Sequence, residues 1–340
     1  MAQQHLEPTD PTARAVTGDA LAGYLRAQAT EFLRALRLHR ETGTAAGATG
    51  SVEAARALRR SARRISGSLH TFRPLLEADW SEEIRPELAW LSGTLGLEHA
   101  YEARLERLLL ALHRLSGSTA LPSQATSDGT ADRGNLTVGA AKAGALLDRQ
   151  LTLARTRAHS TALQALGSSR FHAVADKVAV LASEVPLTAA APTTDLRPPA
   201  AAAEERLTDA ITALPLVTAG HPYNAEALVH GLSPDPSPHP QDGPWHQVRL
   251  LLRLHRYARE VLCGQGAPVD IRLLTAGQAL NRHRDASEAA AAAAAAARTP
   301  RIAPATAYAL GVLHADQRHE VEAARFAFQQ AWQNQSLEAV

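Results

Sequence analysis

Only one cysteine, Cys263, occurs in the chain, which excludes an internal disulfide and any zinc site built from several thiolates. Such a chain fits a reducing cytoplasm. Aromatic residues are scarce, at 4% of the total, so leucine and alanine must fill the core, as they do in helical bundles. The same scarcity argues against a protein that stacks nucleic-acid bases. No run of about 18 apolar residues occurs, so no membrane-spanning helix is expected. The first residues, Met1 to Pro8, have neither a basic start nor an apolar run, and no signal peptide is expected. Segments of alternating apolar and polar residues long enough for a sheet are also missing, and the expected fold is all-α. Lysine is nearly absent: of 35 basic residues, only Lys142 and Lys177 are lysines. Against 34 acidic residues the net charge is +1, so the chain is not globally basic and any polyanion site must be a local patch.

What the sequence does have is arginine in a particular spacing. Arg56, Arg59, Arg60, Arg63 and Arg64 fall at i, i+3, i+4, i+7 and i+8. At about 100° per residue, these five share roughly 140° of one helix surface. Like charges four apart on a helix destabilise it by a few tenths of a kcal/mol per pair, and no acidic residue follows them until Glu77. Such a face suits either screening by water and salt or a polyanion lying along it.

The pattern occurs twice. His246, Arg249, Arg253 and Arg256 again share one helix face, with Tyr257 beside it, and His246 aligns with Arg56, Arg249 with Arg59, and Arg253 with Arg63. Each copy precedes a long helix carrying a leucine and then a histidine, Leu95 with His99 and Leu280 with His283. The chain therefore reads as two related halves. Two basic helices related by a pseudo-twofold would face each other across a shared groove.

At these residues the sequence resembles the CHAD domains, all-helical modules that bind inorganic polyphosphate. The family's first motif is matched by Arg59, Arg63 and Arg64 and by Phe72-Arg73-Pro74-Leu75-Leu76, with Arg56 at the histidine position and Ser66 at the last arginine. The second motif keeps His246, Arg249, Arg253, Arg256 and Tyr257, and Arg284-Asp285 matches the helix that follows. The resemblance implies two pseudo-symmetric antiparallel helical bundles with a basic groove, and polyphosphate contacts from Arg56, Arg59, Arg60, Arg63, Arg64, His246, Arg249, Arg253, Arg256 and His283. Arg73 and Tyr257 read as structural.

Taken in order, residues 1–16 are expected to be disordered, 17–185 to form the first half, 186–200 a proline-rich linker and 201–337 the second half. Within these, a loop is expected at Thr42–Ser51, a helix start at Ser81 with an interruption at Pro86, and a loop from Gly117 to Gly134. A short helix is expected at Ala225–His230, followed by a proline-rich loop from Ser233 to Pro244. The alanine run Ala289–Ala297 reads as helix-favouring filler.

Catalysis finds no support. His319-Glu320-Val321-Glu322-Ala323 lacks the second histidine of a zincin helix, and His283-Arg284-Asp285 has no Gly-rich phosphate loop beside it. Asp285 is expected to orient an arginine of a facing helix. The resulting expectation is a non-catalytic, cofactor-free polyphosphate-binding module in the cytoplasm or at polyphosphate granules. Polyphosphate-metabolising enzymes are its expected neighbours, without nucleic-acid or membrane partners. The alternative is a helical interaction scaffold whose first half has lost polyphosphate.

Overall fold

The computed structural model describes residues 16–45, 48–117, 130–221, 239–264 and 270–333. These contain ten α-helices: α1 Gly18–Ala45, α2 Ala48–Thr71, α3 Ala78–Leu115, α4 Thr130–Leu166, α5 Ser169–Ser183, α6 Arg197–Thr212, α7 Leu216–Ala219, α8 Gly243–Cys263, α9 Ile271–Ala297 and α10 Pro304–Gln333. No strand occurs among the described residues; one isolated bridge joins Leu76 to Leu187. The all-α expectation therefore holds.

Several boundaries differ from the sequence reading. The loop expected over Thr42–Ser51 is mostly helix, because α1 runs to Ala45 and α2 begins at Ala48, where alanines favour helix strongly. Helix α3 starts three residues before Ser81 and passes through Pro86 without a break. A proline inside a helix costs about 3 kcal/mol, but Ile84, Leu88 and Leu91 around it are fully buried and hold the helix in place. The N-terminal residues 1–15, residues 118–129 of the expected loop, the helix expected at Ala225–His230 and all but the end of the proline-rich loop lie outside the described residues.

By its contacts the chain divides into two compact units, and neither is a continuous half. The first comprises Met1–Trp90, Ala173–Glu205 and Leu254–Ala267; the second comprises Leu91–His172, Arg206–Arg253 and Pro268–Val340. Helix α8 thus contributes residues to each.

In the first unit α1 packs on α2. Leu58, Ile65 and Leu69 of α2 are fully buried, as are Leu21, Leu25 and Phe32 of α1. The arginine arc of α2 occupies the remaining surface of that helix. Residues 186–200, expected as a linker, are tied into this unit. The Glu77 and Thr188 amides donate to the Pro186 and Leu75 carbonyls at 3.0 and 2.9 Å, and the Leu196 amide donates to Val16 at 2.8 Å. Ala191 and Leu196 are fully buried, so two side chains anchor a stretch that is otherwise largely exposed.

The second unit has two apolar clusters. One joins Leu108 and Leu112 of α3, Leu147 of α4, Ala293 of α9 and Leu310 and Leu313 of α10. The other joins Leu207 and Ile211 of α6, Trp245 and Val248 of α8, Leu280 of α9 and Phe328 of α10. The alanine run is therefore not filler: Ala289, Ala290, Ala293 and Ala296 are buried, and their small side chains let α10 approach α9 closely.

Candidate anion-binding site

The second unit presents one face of α8. His246 and Arg249 are half-buried on it, with Arg253 one turn on. Arg284 of α9 faces the same group and, with Arg253, acts electrostatically on Arg249. The Arg249 guanidinium donates to Asn281 Oδ1 through a long contact of 3.4 Å, while its Nε is buried without a hydrogen-bond partner among the described residues. Burial first, then the neighbouring Arg253 and Arg284 guanidiniums, push its pKa down to about 9. His246 is held below the usual imidazole range mainly by burial, with Arg249 and Arg284 adding to the effect and Asp242 opposing it. Positive charge is crowded here, with Arg253 and Arg284 near Arg249 and with Glu288 and Asp285 opposing them.

Beneath the patch lies a buried ionic network that composition and motifs did not reveal. Asp242 is completely buried, immediately ahead of α8. Its carboxylate accepts from Arg318 at 2.8 and 3.3 Å, from Arg325 at 2.7 Å and from the Ser287 hydroxyl. Arg325 also pairs with the buried Glu322 at 2.7 Å and donates to the Gln241 carbonyl at 3.0 Å. Two acids and two guanidiniums balance here, which the desolvation penalty of buried charge requires. Burial raises the Asp242 pKa, but hydrogen bonds and charge from Arg318, with smaller help from His283 and Ser287, outweigh it and hold the carboxyl at about 2. A carboxylate at the start of α8 also complements that helix's dipole.

His283, expected as a phosphate contact, belongs to this network instead. It is 1% exposed, stacks on Trp245 with ring centroids 5.7 Å apart and meets His246 edge-on at 5.4 Å. Its Nε2 accepts from Arg325 Nε at 3.3 Å. Burial and the Arg325 charge keep its pKa well below the ordinary value. A neutral, enclosed imidazole supports His246 from behind rather than meeting an outside anion. Asp285 also departs from expectation: it accepts from Arg284, its own neighbour on α9, at 2.9 Å, and Asp242 is the carboxylate that orients arginines of another helix.

In the first unit, the arc on α2 is not left wholly uncompensated. Arg60 is exposed, and Arg56, Arg59, Arg63 and Arg64 are half-buried. Arg56 pairs with Glu53 at 2.6 Å, one helical turn earlier. Arg64 donates to Glu260 of α8 at 2.8 Å and lies over the Tyr257 ring, 5.8 Å from its centroid. Tyr24 of α1 donates to the same carboxylate at 2.8 Å, and burial together with Glu260 pushes its phenol well above the ordinary range. Arg256, 3.6 Å from Glu260, also lies over the Tyr257 ring, 5.5 Å from its centroid. Arg64 thus serves the packing of this unit, whereas Arg60 points to solvent. Tyr257 is buried against Gly67, where any Cβ would run into its ring, which agrees with a structural role. Arg73 is exposed and pairs with Glu82 at 2.9 Å.

Among the described residues, no group of three or more His, Cys, Asp or Glu side chains is placed to hold a metal ion. None of the described helices is long and apolar enough to cross a membrane.

The family described as the CHAD domain matches residues 27–270. Two solved structures are similar. PptA from Streptomyces chartreusis is 76% identical, with 94% of this chain and 100% of that chain covered and a TM-score of 0.79. The CHAD domain from the plant Ricinus communis, at 18% identity, covers 100% of this chain and 97% of its own with a TM-score of 0.52, a likeness of fold. No curated protein sequence matches. The matched span takes in both arginine motifs, and the chain belongs to the CHAD domain family.

Proposed function

We propose that the chain is a non-catalytic module that binds inorganic polyphosphate, with α8 and α2 carrying the contacts. The observation that supports this most is Arg249: a half-buried guanidinium whose Nε has no hydrogen-bond partner among the described residues, its charge disfavoured first by burial and then by Arg253 and Arg284. Crowding like charges into a desolvated patch costs folding free energy, and an arriving polyanion reverses the sign of that term. Guanidinium forks match the paired oxygens of successive phosphates. His246 adds a donor at the end of the row, Arg256 continues the row along α8, and Arg59, Arg60 and Arg63 supply the arc on α2. The low aromatic content and net charge of +1 favour inorganic polyphosphate over nucleic acid. No catalytic group is assigned. Enzymes that make or degrade polyphosphate are the proposed neighbours, in the cytoplasm or at polyphosphate granules.

Calorimetric titration with polyphosphate of defined length, and separately with duplex DNA, tests the reading at rising salt. Tight polyphosphate binding whose logarithm falls several-fold faster than that of salt concentration is expected, by the counterion release known for nucleic acids, with DNA much weaker. No binding, a flat salt dependence or preference for DNA would overturn it.

A further inference from the structure

Arg104 on α3 lies outside both arginine motifs, yet it enters the second unit's basic patch through one carboxylate. Its guanidinium donates to Glu288 of α9 at 2.5 Å. Its side chain is only 17% exposed, it lies over the Tyr101 ring at 5.3 Å, and its Nε is buried without a partner among the described residues. The other oxygen of Glu288 is 4.0 Å from Arg284 Nε, and the same carboxylate bears electrostatically on Arg249 and His246. Glu288 therefore stands among three guanidiniums and an imidazole brought from α3, α8 and α9, of which Arg284 is also paired with Asp285. Three of those groups, Arg104 Nε, Arg249 Nε and His246 Nε2, are buried without a hydrogen-bond partner among the described residues. Buried donors are ordinarily satisfied, so the two arginine Nε–H groups, with the imidazole beside them, call for an acceptor beyond the carboxylate of Glu288.

The carboxylate resembles one internal phosphate unit, carrying a single negative charge and two oxygens. We propose that Arg104 is a further phosphate-contacting residue of this site, and that Glu288 is its built-in counter-charge, holding Arg104 in place and yielding it when a phosphate group arrives. The inference rests on the polyphosphate reading above. Glu288 then sets selectivity. An anion that meets only one guanidinium gains little by exchanging with a resident carboxylate. A chain that also meets Arg249, Arg253 and Arg284 outweighs it.

Titration of the full chain with polyphosphate of defined length tests this in Arg104→Gln, Arg104→Lys and Glu288→Gln. Loss of one phosphate-contacting cation should weaken binding about tenfold and lower the log–log salt slope by about one. Lysine should recover the slope but only part of the affinity, since it keeps the charge without the fork. Glu288→Gln keeps the shape and should tighten binding about threefold or more, as removal of a like charge facing the ligand does. Arg104→Gln binding as wild type, or Glu288→Gln binding no more tightly, would overturn the inference while leaving polyphosphate binding intact. Should Arg104→Gln fail to fold, as its melting would reveal, Glu288→Gln alone decides. If the wild-type chain binds no polyphosphate, the parent reading fails and this one with it.

Discussion

Replacing Asp242 with Asn should unfold the second unit early, for reasons that can be worked from the network around it. The carboxylate is fully buried, and its pKa of about 2 lies about two units below the ordinary aspartate value. At roughly 1.4 kcal/mol per unit, its ionised form contributes about 2–3 kcal/mol near neutral pH. Asparagine loses that contribution and leaves Arg318 and Arg325, 2% and 5% exposed, with Glu322 as their remaining acid. An uncompensated buried charge costs about 3–5 kcal/mol, a large share of a typical stability of about 5–15 kcal/mol. For a unit of this size that corresponds to a fall in melting temperature of about 6–20 °C. Scanning calorimetry should show the transition of the second unit moving down while that of the first stays put. Binding adds a check on sign: a distant charge effect would tighten polyphosphate binding, whereas loss of the support beneath α8 would weaken it, as we expect. A melting change under about 2 °C would show that the buried arginines do not depend on Asp242.

Three further outcomes follow. Stability should fall as pH drops from about 6.5 towards 5, because His283 is protonated in the unfolded chain but resists it when buried; His283→Gln should flatten that slope in denaturant titrations, and an unchanged slope would contradict it. Gly67→Ala should destabilise the first unit by about 1–3 kcal/mol through overpacking, since its Cβ would strike the Tyr257 ring; a neutral melt would show the seam to be loose. Long-chain polyphosphate should bind more tightly per site than tripolyphosphate, because the row from His246 to Arg256 extends about 15 Å along α8; equal affinities would count against a row of contacts.

The parts of this structure visible in the sequence are those written in local spacing. The arginine arcs on α2 and α8 follow from i, i+3, i+4 periodicity, and the long helices expected after them are α3, which carries Leu95 and His99, and α9, which carries Leu280 and His283. What stayed hidden depends on tertiary contact. Asp242 sits beside Pro240 and Pro244, in a stretch whose composition reads as surface loop, yet it is the centre of the network. Arg318 and Arg325 look like ordinary surface arginines. Their seven-residue separation, on the stripe shared with Val321 and Phe328, was the available signal of burial. Arg104 carried no such signal, for only the folding of α3 beside α9 brings it to Glu288. The alanine run shows the limit of composition, which reports helix propensity, whereas the burial of Ala289, Ala290, Ala293 and Ala296 is set by what packs against them.

On the proposed reading, Arg249 is held in an unfavourable electrostatic position because it meets a polyanion. Titration of wild type and Arg249→Gln with the same polyphosphate, alongside thermal unfolding of both without ligand, decides it. Charge-assisted contacts contribute roughly 1.5–3 kcal/mol, so Arg249→Gln should lose about tenfold or more in affinity. Its thermal stability should be unchanged or higher, since burial of the charge and like-charge crowding are both relieved. Undiminished affinity in Arg249→Gln would contradict the reading.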